Sequence, residues 1–86
     1  MRIQGALIEE QGVKFATIVV KKHVIDSKTK SEEFIINSQP IFPGIPIILM
    51  AQDSRGVPTY FGRKDIVNFM ANVPIEAIPW REYNIR

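Results

Sequence analysis

The chain has no cysteine and only one histidine among its 86 residues. Without cysteine, disulfide frameworks, thiolate metal sites and thiol catalysis are excluded. A single histidine also excludes any metal site built from several imidazole rings. Neither sign of charge dominates, because 11 basic residues face 9 acidic ones and leave a formal charge of +2. So small an excess makes no field that would select a nucleic acid or a membrane as partner.

Long hydrophobic runs are missing as well. The run 45–51 is broken by Pro46, and it is far shorter than the ~20 apolar residues that a membrane span requires. The first residues lack the basic, apolar and small-residue segments of a signal peptide. Together with the absence of cysteine, these features predict a cytoplasmic protein without a membrane segment.

Sequence motifs that carry catalysis or bind cofactors are not found either. The chain has no G-x-S-x-G, G-x-x-x-x-G-K-[ST], G-x-G-x-x-G or H-E-x-x-H. His23 ends a predicted strand, and no carboxylate is placed beside it by spacing, so we expect it to face solvent. The adjacent pairs Glu9-Glu10 and Glu32-Glu33 diverge on a strand or a helix, so neither forms a shared-proton dyad. We therefore expect no enzyme, no catalytic residue, no metal and no cofactor.

The residues that are present favour one small domain spanning 1–86. Apolar residues make up 45% of the chain and charged residues 23%, as is typical of globular proteins. A domain this small buries only about 60–65% of its unfolded surface, so its stability is marginal without disulfides or a metal. Contact with a partner subunit would bury further surface and compensate for this marginal stability. We therefore expect a homo-oligomer or a protein partner.

The first 25 residues are rich in β-branched side chains and predict a β-hairpin. The two strands are separated by the polar cluster 9–12, which ends in glycine. A helix over 5–11 leading into one strand is the alternative. Residues 15–20 are apolar on both faces, which indicates either a central strand covered on both sides or a strand at a subunit contact.

Residues 45–73 predict a strand–turn–strand–helix unit. Pro58 indicates that the second strand either lies at a sheet edge or begins irregularly. The helix carries an i, i+3, i+4, i+7 apolar stripe, and Pro74 prevents it from continuing. The predicted segments are a strand at 47–50, a turn at 53–56, a strand at 57–61 and a helix at 63–72.

The remaining segments are less regular. Asp26 or Ser27 could cap a helix that ends near Ser38 and buries Phe34, Ile35 and, as a third candidate, Ile36. A stiff, proline-rich connector follows over 39–46. The tail 74–86 forms either a packed extended arm or a short final strand. These segments together predict an α+β fold in the order ββαββα, with a four-stranded sheet and two helices.

Residues 46–70 resemble the second half of a CBS motif. The stretch has an apolar strand, an Asp/Gly turn, a second strand and a helix that opens with a basic pair, Asp, Ile and Val. The resemblance implies that Asp65 holds a ribose hydroxyl. The position at which that family carries a phosphate-binding Ser or Thr is Gly62 in this chain, and no helical first half precedes the motif.

The helix start at Gly62, Arg63, Lys64 and Asp65 is the candidate ligand site. Unpaired backbone N–H groups, two cations and the helix dipole there suit a phosphate or a carboxylate. Asp65 opposes an anion unless it points away or takes a ribose hydroxyl. A small-molecule, phosphate or nucleotide binder is therefore one alternative for the function.

Candidate interface residues are Phe15 and Val19 on the two-faced strand, and Trp80 and Tyr83 in the tail. The two tail aromatics either close over the core or anchor a partner. Lysines and arginines near two strand ends are interleaved with acids, so we expect nucleic-acid binding to be at most weak and non-specific. The main prediction is a small non-enzymatic interaction or regulatory module.

Overall fold

The computed structural model describes residues 2–10 and 12–84. Gln11 of the predicted hairpin turn and Ile85 and Arg86 of the predicted tail lie outside the described residues. The strands found in the described part of the chain are β1 (Arg2–Glu10), β2 (Val13–Val19), β3 (Ile47–Gln52), β4 (Pro58–Phe61) and β5 (Arg81–Asn84). The helices there are α1 (Lys22–Ile25), α2 (Lys28–Ser38), α3 (Lys64–Met70) and a short 3-10 helix (Ile75–Ala77).

The strands form one sheet in the order β4-β3-β2-β1-β5. Strands β2 and β3 are parallel, and the other neighbouring pairs are antiparallel. A small α+β fold with a sheet and helices is confirmed. The predicted four strands, two helices and ββαββα order are wrong, because the described residues follow the order ββααββαβ, with three α-helices and with β5 as a fifth strand beside β1. The tail thus takes the strand alternative over 81–84, where charged residues obscure a strand pattern.

Strands β1 and β2 form the predicted hairpin, paired from Glu10↔Val13 to Gly5↔Ile18. The alternative helix over 5–11 is wrong for the described residues of that segment. Strand β2 lies between β1 and β3, and its residues from Phe15 to Ile18 are buried. The two-faced apolar pattern therefore belongs to a central strand covered on both sides.

Helices α1 and α2 connect the parallel strands β2 and β3. Helix α2 begins after Ser27, whose hydroxyl oxygen accepts a hydrogen bond from the Lys30 N–H at 3.2 Å, so the predicted cap is confirmed. Phe34 and Ile35 are half-buried, but Ile36 is 69% exposed and is not a core residue. The sequence pattern does not predict α1, because a single turn is too short to show an apolar period.

Each face of the sheet carries its own apolar cluster. Helices α1 and α2 cover one face, where Ile18 and Leu49 are fully buried. Helix α3 and Ile78, which follows the 3-10 helix, cover the other face, where Phe15 and Ile48 are buried. Because successive side chains of a strand point to opposite faces, neighbouring residues of β2 and β3 supply both clusters.

The predicted strand–turn–strand–helix unit is confirmed, with β4 at the sheet edge. The Asp53 carboxylate stabilises the turn by accepting hydrogen bonds from the N–H groups of Arg55 at 2.8 Å and Val57 at 3.0 Å. Gly62 follows β4 with φ 151°, and a side chain there would collide with Ile48 of β3. Close packing of the chain on β3 therefore explains a glycine at this position.

Candidate functional site

The predicted ligand site at the start of α3 is dominated by one ion pair. The Arg63 guanidinium donates two hydrogen bonds to the Asp65 carboxylate, from Nε at 2.8 Å and from Nη2 at 2.7 Å. The Ile66 N–H, at the helix start, also donates to Asp65 at 2.9 Å. Hydrogen bonding from Arg63 lowers the pKa of Asp65 from 3.8 to about 2, and the same contact raises the pKa of Arg63.

This ion pair changes what the helix start can bind. A bidentate pair satisfies the fork of the Arg63 guanidinium, and the Asp65 carboxylate occupies the place that a ligand anion would take. Lys64 is exposed and supplies the remaining positive charge of the segment. The geometry therefore favours a self-neutralised helix start, and the predicted anion site and the CBS resemblance stay predictions.

The predicted interface residues lie at separate places in the fold. Phe15 is 2% exposed, in the cluster beneath α3. Val19 is half-buried at the end of β2. The Trp80 indole N–H donates to the Ile75 carbonyl at 3.2 Å, and Tyr83 packs edge-on against Phe42 with ring centroids 5.0 Å apart. Trp80 also packs against the cluster beneath α3, and Tyr83 packs against the cluster beneath α1 and α2, so both tail aromatics contact the core of the domain.

An exposed apolar surface lies above Phe15, at the hairpin end of the sheet. The Phe69 ring of α3 packs edge-on against Phe15 with centroids 6.2 Å apart, yet it remains 36% exposed. Two grooves of about 220 and 340 Å³ share Phe69 as a wall. We call this region the Phe69 surface, and the larger apolar side chains on it are Ile8, Val13, Phe69 and Val73.

The titratable side chains that line the Phe69 surface are acidic, and one of them, Asp65, is paired with Arg63. Among the described residues, the titratable side chains that line its two grooves are Glu9, Glu10 and Asp65. An exposed aromatic ring with apolar neighbours and a polar rim is the usual anatomy of a protein-binding patch. The arrangement therefore suits a protein contact and disfavours an anionic ligand.

A larger cleft of about 500 Å³ opens at the other end of the same strands, where β2 ends. The β1–β2 pairing stops at Gly5↔Ile18. The first residues of β1 pair with β5 instead, and Val19 pairs with Met50 of β3. The two strands diverge, and a gap opens between them. We call this gap the β2-end cleft, and it is lined by Arg2, Ile3, Gln4, Val19, Val20, Lys21, His23, Val24 and Phe34.

Charge in the β2-end cleft is opposite to that of the Phe69 surface. Among the described residues, the titratable side chains lining it are Arg2, Lys21 and His23, all of them basic. The neighbouring Lys22 does not line the cleft and is paired with Asp26 at 2.6 Å. An apolar cleft with a few convergent polar groups is the usual form of a small-molecule site.

Sequence reasoning named single residues of both regions, Phe15 and Asp65 in one and Val19 in the other, but it did not predict either region as a whole. The helical stripe marked Phe69 as a core residue, because periodicity does not report how far an apolar ring protrudes. His23 is exposed as expected, but it lies in α1 and not at a strand end, and it also lines the cleft. The run Lys21-Lys22-His23 was the available signal for the cleft, but the divergence of β1 from β2 depends on β5, which is distant in sequence.

Two further observations concern metal-ligating side chains and membrane-spanning helices among the described residues. No group of three or more His, Asp or Glu side chains is placed there to hold a metal ion. In the same part of the chain, every helix is too short or too polar to cross a membrane.

Comparison with known proteins adds no relative, because the chain matches no protein-family model, no curated protein and no solved structure.

Proposed function

We propose that this protein is a non-enzymatic interaction module that associates with a second copy of itself through the Phe69 surface. The observation that carries the proposal is the position of Phe69. Its ring stands between two grooves, supported from below by Phe15 and open to solvent above. Exposed apolar side chains that lie together, and not singly, mark contact sites.

Shape favours a second copy as the occupant. In a two-fold dimer the same patch serves both subunits, so it must complement itself. A ring with a groove on each side meets this requirement, because each Phe69 can enter a groove beside the Phe69 of its partner. Association would also bury apolar area that a domain of this size needs for stability.

The carboxylate of Glu10 allows an experiment to distinguish self-association from the binding of a different, basic partner. A two-fold contact brings Glu10 of each subunit towards the same interface, where like charges repel. A partner with lysines or arginines would instead be attracted by Glu10. Replacing Glu10 by Gln therefore strengthens self-association and weakens the binding of a basic partner.

Light scattering after size exclusion, at high micromolar concentration, tests the proposal. We expect the wild type to be a dimer, Phe69→Ser to be a monomer, and Glu10→Gln to remain dimeric on further dilution. Val57→Ser is the matched control, because Val57 is 55% exposed at the β4 edge, away from the grooves, and its loss leaves the dimer intact. A monomeric wild type would contradict the proposal, and so would a dimer that Phe69→Ser leaves unchanged.

A further inference from the structure

The β2-end cleft forms because β1 and β2 are not paired along their whole length. Continuing the register beyond Gly5↔Ile18 would pair Gln4 with Val19, Ile3 with Val20 and Arg2 with Lys21. None of these three pairs is part of the β1–β2 ladder, and all six residues line the cleft. The cleft therefore lies between two strands at the point where the chain leaves β2 for its crossover to β3.

The inner walls of the cleft are apolar. Ile3 is 6% exposed, and Val20, Val24 and Phe34 are half-buried against the cluster beneath α1 and α2. These walls come from three different elements that the sheet and the packed helices hold in place. A preformed apolar space of about 500 Å³ is large enough for the body of a small organic molecule.

The mouth of the cleft is basic. Lys21 and His23 are exposed at its rim, and neither forms an ion pair with any residue that the structure describes. Arg2 contacts Glu82 at 3.6 Å, but both side chains are largely exposed, so the contact is weak and can yield to another anion. The rim thus offers ammonium, imidazole and guanidinium donors to a carboxylate.

We propose that the β2-end cleft binds a small amphiphilic carboxylate, with its apolar body between Val20, Val24 and Phe34 and its carboxylate at Lys21 and His23. The cleft lies about 20 Å from the hairpin turn, estimated as six residues of β2 at ~3.3 Å each. Self-association through the Phe69 surface leaves it open. The inference therefore stands independently of the proposed function.

Titration with decanoate, followed in ¹H–¹⁵N NMR spectra of the wild type below the micellar concentration, tests the site. We expect saturable shifts of the amides of residues 19–24. Decanol, which has the same apolar chain without the charge, should bind at least about tenfold more weakly, the difference expected for one charge-assisted contact.

Two variants test whether the carboxylate of the ligand binds at Lys21 and His23. The double variant Lys21→Gln with His23→Gln should weaken decanoate binding by about tenfold or more. The matched control Lys22→Gln removes a neighbouring charge that is already paired with Asp26 and should leave the affinity unchanged. The proposal is overturned if decanoate shifts no amide of residues 19–24, if decanol binds equally well, or if Lys22→Gln weakens binding as much as the double variant.

Discussion

The two ends of the β1–β2 hairpin are built from the same strands and differ in shape and charge. At the hairpin end the strands stay paired to Glu10↔Val13, and an aromatic ring from α3 protrudes above them. At the other end the strands separate and leave a cleft. Among the described residues, carboxylates line the grooves of the first end and basic side chains line the second.

The difference shows that the local sequence of a strand does not determine whether its end stays paired or borders a cleft. β1 is held by β2 along one part of its length and by β5 along another. Where both partners of β1 overlap, at Gly5, the sheet has no room for a side chain, because a Cβ there would lie 2.9 Å from the Thr17 carbonyl oxygen. Beyond Gly5 the pairing of β1 with β2 ends while its pairing with β5 continues, and the cleft opens on the side of β1 that β2 leaves unpaired.

The largest expected effect comes from the aromatic pair at the hairpin end. Phe15→Ala should lower the free energy of unfolding by about 3–5 kcal/mol, because it removes a buried ring and leaves a cavity beneath Phe69. Urea unfolding followed by circular dichroism measures the change. Phe69→Ala, which truncates the exposed ring of the same pair, should cost much less stability at protein concentrations where the wild type is monomeric. Equal losses for the two variants would show that Phe69 is a core residue and not a surface one.

A smaller effect on the free energy of unfolding, this time an increase, is expected at Thr17, between the two ends of the hairpin. The Thr17 hydroxyl is fully buried in β2 and has no hydrogen-bond partner among the described residues. Thr17→Val keeps the shape of the side chain and removes this unpaired group, so it should stabilise the fold by about 1–2 kcal/mol. The same urea measurement tests the prediction, and a destabilised variant would indicate that the hydroxyl has a partner. Decanoate binding and self-association should both survive, since Thr17 lines neither region.

The two ends of the hairpin also show which features of the fold and of the candidate site can be predicted from sequence. Periodicity and turn chemistry predicted the hairpin, the strand–turn–strand–helix unit and a helix cap at Asp26 or Ser27, because each depends on neighbouring residues. They left residues 74–86 open between an extended arm and a short final strand, because Arg81–Asn84 becomes a strand only through its pairing with β1. The predicted anion site placed the right residues at a helix start but could not foresee the Arg63–Asp65 pair, which depends on side-chain conformation. Both regions described above arise from such long-range or conformational features.

The smallest expected effect concerns the acidic character of the hairpin end. Because the Arg63 hydrogen bonds lower the pKa of Asp65 from 3.8 to about 2, the folded protein keeps this groove carboxylate charged in more acidic solution than the unfolded chain does. A pKa that is lower in the folded state adds stability above the unfolded pKa and loses it as the pH falls, here between about 4 and about 2. The pair is exposed, so its contribution is small and is screened by salt. An NMR titration of the Asp65 carboxyl carbon should give a midpoint near the lowered value, and Arg63→Gln should raise that midpoint towards 3.8. If Arg63→Gln leaves the midpoint unchanged, the ion pair does not set the charge of Asp65.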